Sequence, residues 1–149
     1  MKRASLFILA ILTIATTLSC KKMIITDKDE VDTSNFVGKK WFTTGQTMNG
    51  EDVYEDTYYA CDKDDYIIFN KDGSLTESLG TLKCDASEDP DVIVYGKSWR
   101  VVGNKIYFLL DLPDDQEMEN TIKVQTATKL VLVWGDENGD NITTTYSTK

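Results

Sequence analysis

The 149-residue sequence predicts an all-β fold: an antiparallel meander of eight short strands, closed into a small β-barrel, after an N-terminal signal peptide. Three observations predict it. Runs of β-branched and aromatic residues recur along the chain, turn-forming residues separate them, and no segment shows the apolar period of a long helix. An open meander would expose two edge strands, so closure into a barrel is favoured, and a β-sandwich is the competing architecture.

The first 19 residues have the pattern of a secretory signal peptide. Two basic residues precede an uncharged run, rich in Leu, Ile and Ala, that is too short to span a bilayer comfortably. Cys20 directly follows the small residue Ser19, which resembles a lipobox, the motif whose cysteine is acylated and becomes the new N-terminus. Leu18 stands one position nearer the cysteine than usual, and a plain signal peptide is the alternative. We therefore expect an acylated Cys20 that anchors the protein in a membrane.

The chain after the cleavage site is strongly acidic, with 14 basic against 25 acidic side chains and a formal charge of −11. Such a surface repels phosphate backbones, so we expect no nucleic-acid partner. Residues 20–35 predict a flexible lipidated tether, and residues 36–149 the barrel domain, with one helical turn capped by Ser34 or Asn35 at the junction. Lys21 stands where inner-membrane lipoproteins commonly carry Asp, so by resemblance we expect an outer-membrane lipoprotein of the cell envelope, facing either the periplasm or the cell surface.

Two cysteines remain once Cys20 is acylated, and two cysteines allow a single pairing, Cys61 with Cys84. Export places both in an oxidising compartment, where a disulfide persists. Two buried free thiols are the alternative. The sequence therefore favours a disulfide bond between these two positions.

Each predicted strand is a short run rich in Val, Ile, Thr or aromatic residues and bounded by turn signals. The turn Asn70-Lys71-Asp72-Gly73 places Gly where a positive φ is needed, and Gly103-Asn104 is a two-residue hairpin loop. Asp136–Asp140 joins the last two strands, while Pro113 and the acidic run Asp114–Glu119 predict a loop. The strands, in order, are Trp41–Met48, Tyr66–Phe69, Ser74–Leu79, Val92–Val102, Ile106–Leu110, Thr121–Thr126, Lys129–Trp134 and Ile142–Ser147.

Alternate residues of a barrel strand face the interior, which in an eight-stranded barrel is either packed with side chains or holds one small ligand. A packed core is the favoured role of the inward residues. Gly38-Lys39-Lys40-Trp41 recurs as Gly96-Lys97-Ser98-Trp99, so we expect each Trp to plug an end of the barrel. The residues expected to fill the core or face a ligand are Trp41, Phe69, Trp99, Phe108, Leu132 and Trp134.

The residue types present argue against catalysis. The chain has no His, which removes the commonest general base and most zinc sites, and no Gly-rich phosphate loop. Asp136, Asn138 and Asp140 alternate as in a calcium loop, but Asn141 replaces the required Gly and Ser147 the required Glu, so a polar turn is favoured. We expect no enzyme, no cofactor and no metal. The remaining acidic clusters are expected to be solvated loops: Asp62, Asp64 and Asp65; Glu88, Asp89 and Asp91; Asp114 and Asp115.

In order and spacing, these motifs together resemble the lipocalin-like domains of lipoproteins from anaerobic Gram-negative bacteria. The resemblance covers nearly all of residues 36–148 and rests on the two Trp motifs, the segments Cys61–Tyr66 and Phe69–Gly73, Cys84, Thr126–Leu132 and Asn138–Asp140. It implies an antiparallel lipocalin-like barrel and pairing of the two cysteines, and it implies no particular ligand. Lipocalins proper also have an Arg near the last strand and a C-terminal helix, which this chain lacks.

The sequence and the resemblance together predict a lipid-anchored envelope protein. Its barrel is expected to bind a small apolar ligand without catalysis, and the membrane is the expected partner through acylated Cys20. The alternative is a structural or protein-interaction module with a filled barrel and no ligand.

Overall fold

The computed structural model describes residues 31–85, 92–109 and 117–149, with the backbone alone for residues 92–97. Within these ranges the chain is almost entirely β. The elements, in order, are a 3₁₀ turn Thr33–Asn35, β1 Trp41–Met48, β2 Glu51–Asp52, α1 Tyr54–Thr57, a 3₁₀ turn Asp62–Asp64, β3 Tyr66–Phe69, β4 Ser74–Ser78, β5 Val92–Val102, β6 Lys105–Leu109, β7 Glu117–Gln125, β8 Lys129–Gly135 and β9 Asn141–Ser147.

The strands form one antiparallel sheet that closes on itself. β1 and then β3 to β9 pair in chain order, and β9 pairs back with β1 from Phe42↔Ser147 to Met48↔Ile142. The closed eight-stranded barrel that the sequence predicts is therefore confirmed. β2 is an additional two-residue strand beside the ring, paired with the end of β1.

The seam between β1 and β3 is short, because only two residue pairs at the start of β1 join these strands. Beyond them, the same edge of β1 faces the segment that carries α1. The Val53 amide donates to the Gln46 carbonyl (3.0 Å), and the Tyr54 hydroxyl donates to the Thr43 carbonyl (2.9 Å). The segment thus takes the place of a neighbouring strand and satisfies backbone groups where the ladder stops.

The segment before β1 packs onto one end of the barrel. Asp32, rather than Ser34 or Asn35, caps the first 3₁₀ turn, because its carboxylate reaches the Ser34 amide (3.0 Å). The Gln125 side-chain amide donates to the Asp32 carbonyl, and Val31 is buried. The packed structure therefore begins before Phe36, within the part of the chain that the sequence predicts as tether.

The hydrophobic core lies at this same end and is rich in aromatic residues. Phe36 is fully buried, with its ring edge-on to Phe69 (5.2 Å between centroids) and Trp99 (5.6 Å). The indole N–H of Trp41 donates to the Phe36 carbonyl (2.8 Å). The segment from Val31 to Phe36 thus closes one end of the barrel, and we call it the plug. Both Trp41 and Trp99 contact Phe36 at this end. The buried core cluster comprises Val31, Phe36, Trp41, Phe69, Ile106, Ile122, Leu130 and Leu132.

β7 begins at Glu117, so the predicted loop Asp114–Glu119 is wrong over its last three residues. Basic side chains on β5 and β6 balance the acidic side chains of β7, and β6 is the direct neighbour of β7. Arg100 on β5 forms a bidentate ion pair with Glu117 (2.7 Å for both hydrogen bonds), and Lys105 on β6 pairs with Glu119. Opposite charges on neighbouring strands stabilise a sheet, so an acidic run is compatible with a strand here.

The predicted signal peptide, Cys20 and most of the tether lie outside the described residues, as do the acidic clusters Glu88, Asp89 and Asp91 and Asp114 and Asp115. Within the described ranges, no helix has both the length and the apolar character that a membrane span requires.

Candidate functional site

The core cluster occupies mainly one half of the barrel interior, and toward the other end Ile142 and Thr144 are also buried. The N-terminal plug and the hairpins β3–β4, β5–β6 and β7–β8 surround that half, which we call the closed end; the hairpins β1–β2 and β8–β9 mark the open end. Ile67, Phe108 and Tyr146 pack against the core yet keep accessible surface. Because these side chains point inward, that surface faces the interior on the side of the open end.

Polar side chains line this open half beside the apolar ones. β1 and β9 pair Gln46 with Thr144, and the Gln46 side-chain amide donates to the Thr144 hydroxyl (3.4 Å). Tyr58, just after α1, brings its hydroxyl to the side chains of Thr43 and Gln46. The segment that fills the β1–β3 seam therefore also contributes to the interior wall.

Glu77 places a carboxylate on the inner face of β4. The strand pairs Leu75 with Phe69 and Glu77 with Ile67, and both partners on β3 belong to the core packing. Residues directly opposite each other in an antiparallel pair share a face, so Glu77 points inward. No described residue donates a hydrogen bond to this carboxylate or forms an ion pair with it.

Tyr146 on β9 interacts electrostatically with Glu77 and Tyr58 across the interior. Burial raises the pKa of the Tyr146 phenol above its ordinary value, and the charges of Tyr58 and Glu77 raise the pKa further. In the ring, β1 and β3 separate β9 from β4, so this electrostatic interaction runs through the lumen. None of the described residues hydrogen bonds to the Tyr146 hydroxyl. A free hydroxyl and a free carboxylate therefore face the same space.

Two acidic hairpins that are tied to each other rim the open end. Asn49, with φ +52°, donates from Nδ2 to the Asp140 carboxylate (2.6 Å), and its Oδ1 accepts the Asn141 amide (2.9 Å). The hairpin segments 48–52 and 135–141 contain five carboxylates and no Lys or Arg. This part of the rim is therefore strongly negative.

The polar turn predicted at Asp136–Asp140 is confirmed. The Asp136 carboxylate accepts the Asp140 amide (2.8 Å) and the Asn138 amide (2.9 Å). These hydrogen bonds, that from Asp140 first, hold the Asp136 pKa below its ordinary value. The oxygens that suggested a calcium loop are thus engaged in shaping the turn.

The wall beside Glu77 is held in place by a disulfide bond and by the contacts of the Asp64 carboxylate, which together we call the brace. Cys61 and Cys84 form the predicted disulfide, with their Cα atoms 5.3 Å apart. Asp64 accepts the backbone amide (2.7 Å) and the hydroxyl (2.8 Å) of Thr81. Gly80 sits against that carboxylate at φ +65°. The loop after β4 is thereby fixed to the segment that carries Tyr58.

The cluster of Cys61, Asp62 and Cys84 has the residue types of a metal site. The two sulfurs are bonded to each other, however, so neither is a thiolate available to a metal. This cluster is better explained as part of the brace.

Of the six side chains predicted to fill the core or face a ligand, three are buried in the core and three are partly exposed. Trp41, Phe69 and Leu132 are buried in the core, whereas Trp99 and Phe108 pack against it with partial exposure. Trp134 pairs with Ile142 on the inner face near the open end and is partly exposed. Sequence reasoning missed the polar wall residues Gln46, Tyr58, Glu77, Thr144 and Tyr146. One signal could have indicated that Glu77 points inward. This residue occupies the position between Leu75 and Leu79 on the same face of the predicted strand, where an apolar residue is expected.

Comparison of the chain with protein-family models, curated proteins and solved structures finds no match.

Proposed function

We propose that this protein is a non-catalytic lipoprotein of the cell envelope, with a lipocalin-like barrel that binds one small, largely apolar molecule in the open half of its interior. The observation that carries the proposal is the uneven filling of the barrel. Phe36, Trp41 and Phe69 are fully buried at the closed end, whereas Ile67 and Phe108 keep accessible apolar surface on the inner face. An eight-stranded barrel encloses about the space that one small ligand needs.

The composition of the wall supports this class of ligand. Small-molecule sites are mostly apolar, with a few polar groups that orient the ligand. The open half combines Ile67 and Phe108 with the hydroxyl of Tyr146 and the amide of Gln46. We propose a binding role rather than catalysis because the sequence lacks His and both domain cysteines are in the disulfide.

Blocking the interior tests the proposal. The soluble chain, residues 21–149, is titrated with the neutral probe N-phenyl-1-naphthylamine, whose fluorescence rises in apolar sites. Met118 pairs with Phe108 and so lies on the inner face, whereas Thr121, which pairs with Lys105, lies on the outer face of the same strand. We expect Met118→Trp to abolish saturable binding and Thr121→Trp to preserve it. Equal binding by both variants, or none by the unmodified chain, would support the filled-barrel alternative.

The lipid anchor is a separate part of the proposal and rests on Cys20 and the apolar run before it. Two or more acyl chains hold a protein stably on a membrane, each buried CH₂ contributing about 0.8 kcal/mol. Cells that express the full chain are labelled with an alkyne fatty acid, and their outer and inner membranes are separated. We expect label on the protein in the outer-membrane fraction and none on Cys20→Ser. A mature protein without label would contradict lipidation.

A further inference from the structure

We propose that the ligand of this barrel is an amphipathic cation, a molecule with an apolar body and a protonated amine, and that Glu77 binds the amine. This inference rests on the proposed function and specifies its ligand. It follows from three features of the open half: an inward carboxylate without a partner, two phenols on the same interior wall, and a negative rim.

The first feature is the position of Glu77. Its register partner Ile67 packs against the core, so the carboxylate is directed into the barrel. Among the described inward positions there is no Lys or Arg to neutralise it. Arg100 and Lys105 lie on the outer surface, where each is paired with a glutamate of β7. An ionised carboxylate in a confined space gains most from a cation that comes with a ligand.

The second feature is a pair of phenols: Tyr146, which interacts electrostatically with Glu77, and Tyr58, which interacts with Tyr146. The Tyr146 hydroxyl has no partner among the described residues, and its ring packs against the core. Tyr58 contributes a second phenol from the seam segment. An ammonium group has three N–H donors, which one carboxylate and two phenol oxygens match. Aromatic faces also attract a cation, so the rings add to the same preference.

The third feature is the electrostatics of the entrance. The described hairpins at the open end carry five carboxylates and no basic residue, within a mature chain of formal charge −11. A cleft lined by one sign of charge concentrates ligands of the opposite sign and speeds their association. The rim therefore favours a cation and opposes a fatty acid, although both have apolar tails.

Three ligands with the same eight-carbon chain test the inference at pH 7.4: octylamine, octanol and octanoate. An alkyl ammonium has a pKa near that of lysine, about 10.4, so octylamine is cationic at this pH. Displacement of N-phenyl-1-naphthylamine from the chain 21–149 gives each affinity. We expect octylamine to bind at least about tenfold more tightly than the other two, as one charge-assisted hydrogen bond warrants.

Two variants assign the preference to a residue. We expect Glu77→Gln to abolish the advantage of octylamine over octanol while octanol binding stays within about twofold. Asp56→Asn removes one charge from the exposed face of α1 and should leave the advantage intact. Equal binding of octylamine and octanol by the unmodified chain, or tighter binding of octanoate, would overturn the inference but leave the proposed function standing. Displacement of the probe by none of the three would also overturn the inference, whereas the absence of saturable probe binding would refute the proposed function itself. The comparison on the unmodified chain decides the matter even if Glu77→Gln does not fold.

Discussion

The substitution Phe36→Ala tests whether the segment before β1 is part of the core or only a tether. Phe36 is fully buried and makes edge-on contacts with Phe69 and Trp99. Replacing a buried Phe by Ala commonly costs about 3–5 kcal/mol, and each aromatic pair is worth about 0.5–1.5 kcal/mol of stability. We expect Phe36→Ala to lower the free energy of unfolding by about 4 kcal/mol. With a urea dependence of about 2 kcal/mol per molar, the unfolding midpoint falls by about 2 M.

The assay is urea unfolding of the chain 21–149 with the disulfide intact, followed by tryptophan fluorescence and by circular dichroism to check that the transition is two-state. Phe42→Ala is the matched control. Phe42 lies on the outer face of β1 with partial exposure, where its ring packs against Tyr66 (5.6 Å) and lies beneath Lys149. We expect this control to cost about 1 kcal/mol. If Phe36→Ala costs no more than Phe42→Ala, the plug does not stabilise the barrel, and the segment before β1 is no more than a tether that includes Phe36.

Three further predictions concern the brace beside Glu77. Replacing Cys61 and Cys84 together by Ser reopens a loop of 23-residue separation and should cost about 3 kcal/mol in urea unfolding; no change would show that the loop is held by other contacts. Gly80→Ala places a Cβ against the Asp64 carboxylate at a positive φ, so we expect a loss of about 2 kcal/mol or more, and a neutral result would contradict this geometry. The Thr81 amide lowers the pKa of Asp64, and a carboxyl with a lowered folded pKa stabilises above its unfolded pKa, about 4. The stability that Asp64→Asn loses at pH 7 should therefore shrink as the pH falls below about 4, and a difference that is constant with pH would exclude the charge as its cause.

The regular part of the fold could be predicted from local signals. Gly103 and Asn104 turn β5 into β6, and Gly73 takes the positive φ that the turn before β4 requires. Both turns are determined by a few consecutive residues, so they can be predicted from the local sequence alone. Closure of the ring also followed, because eight consecutive hairpin strands leave no other way to remove both edges.

Features that depend on distant parts of the chain could not be predicted in the same way. The strand at Glu117 is stabilised by Arg100, which is 17 positions away and belongs to β5. The plug depends on contact between Phe36 and Trp99, and the polar wall on the electrostatic interaction across the lumen between Glu77 and Tyr146. A pattern of alternation assigns a face to a residue, but it does not indicate which face the rest of the fold will leave unfilled.

The short seam between β1 and β3 has a consequence for how the ring moves. Separating these two strands breaks a ladder of two residue pairs and displaces a four-residue helix, whereas every other seam has at least four pairs. Local opening costs least where the fewest hydrogen bonds are lost, so we expect amide hydrogens along this edge to exchange with solvent soonest. If the barrel binds a ligand as proposed, we expect this seam to be its lateral exit, and the Cys61–Cys84 bond to limit how wide that exit opens.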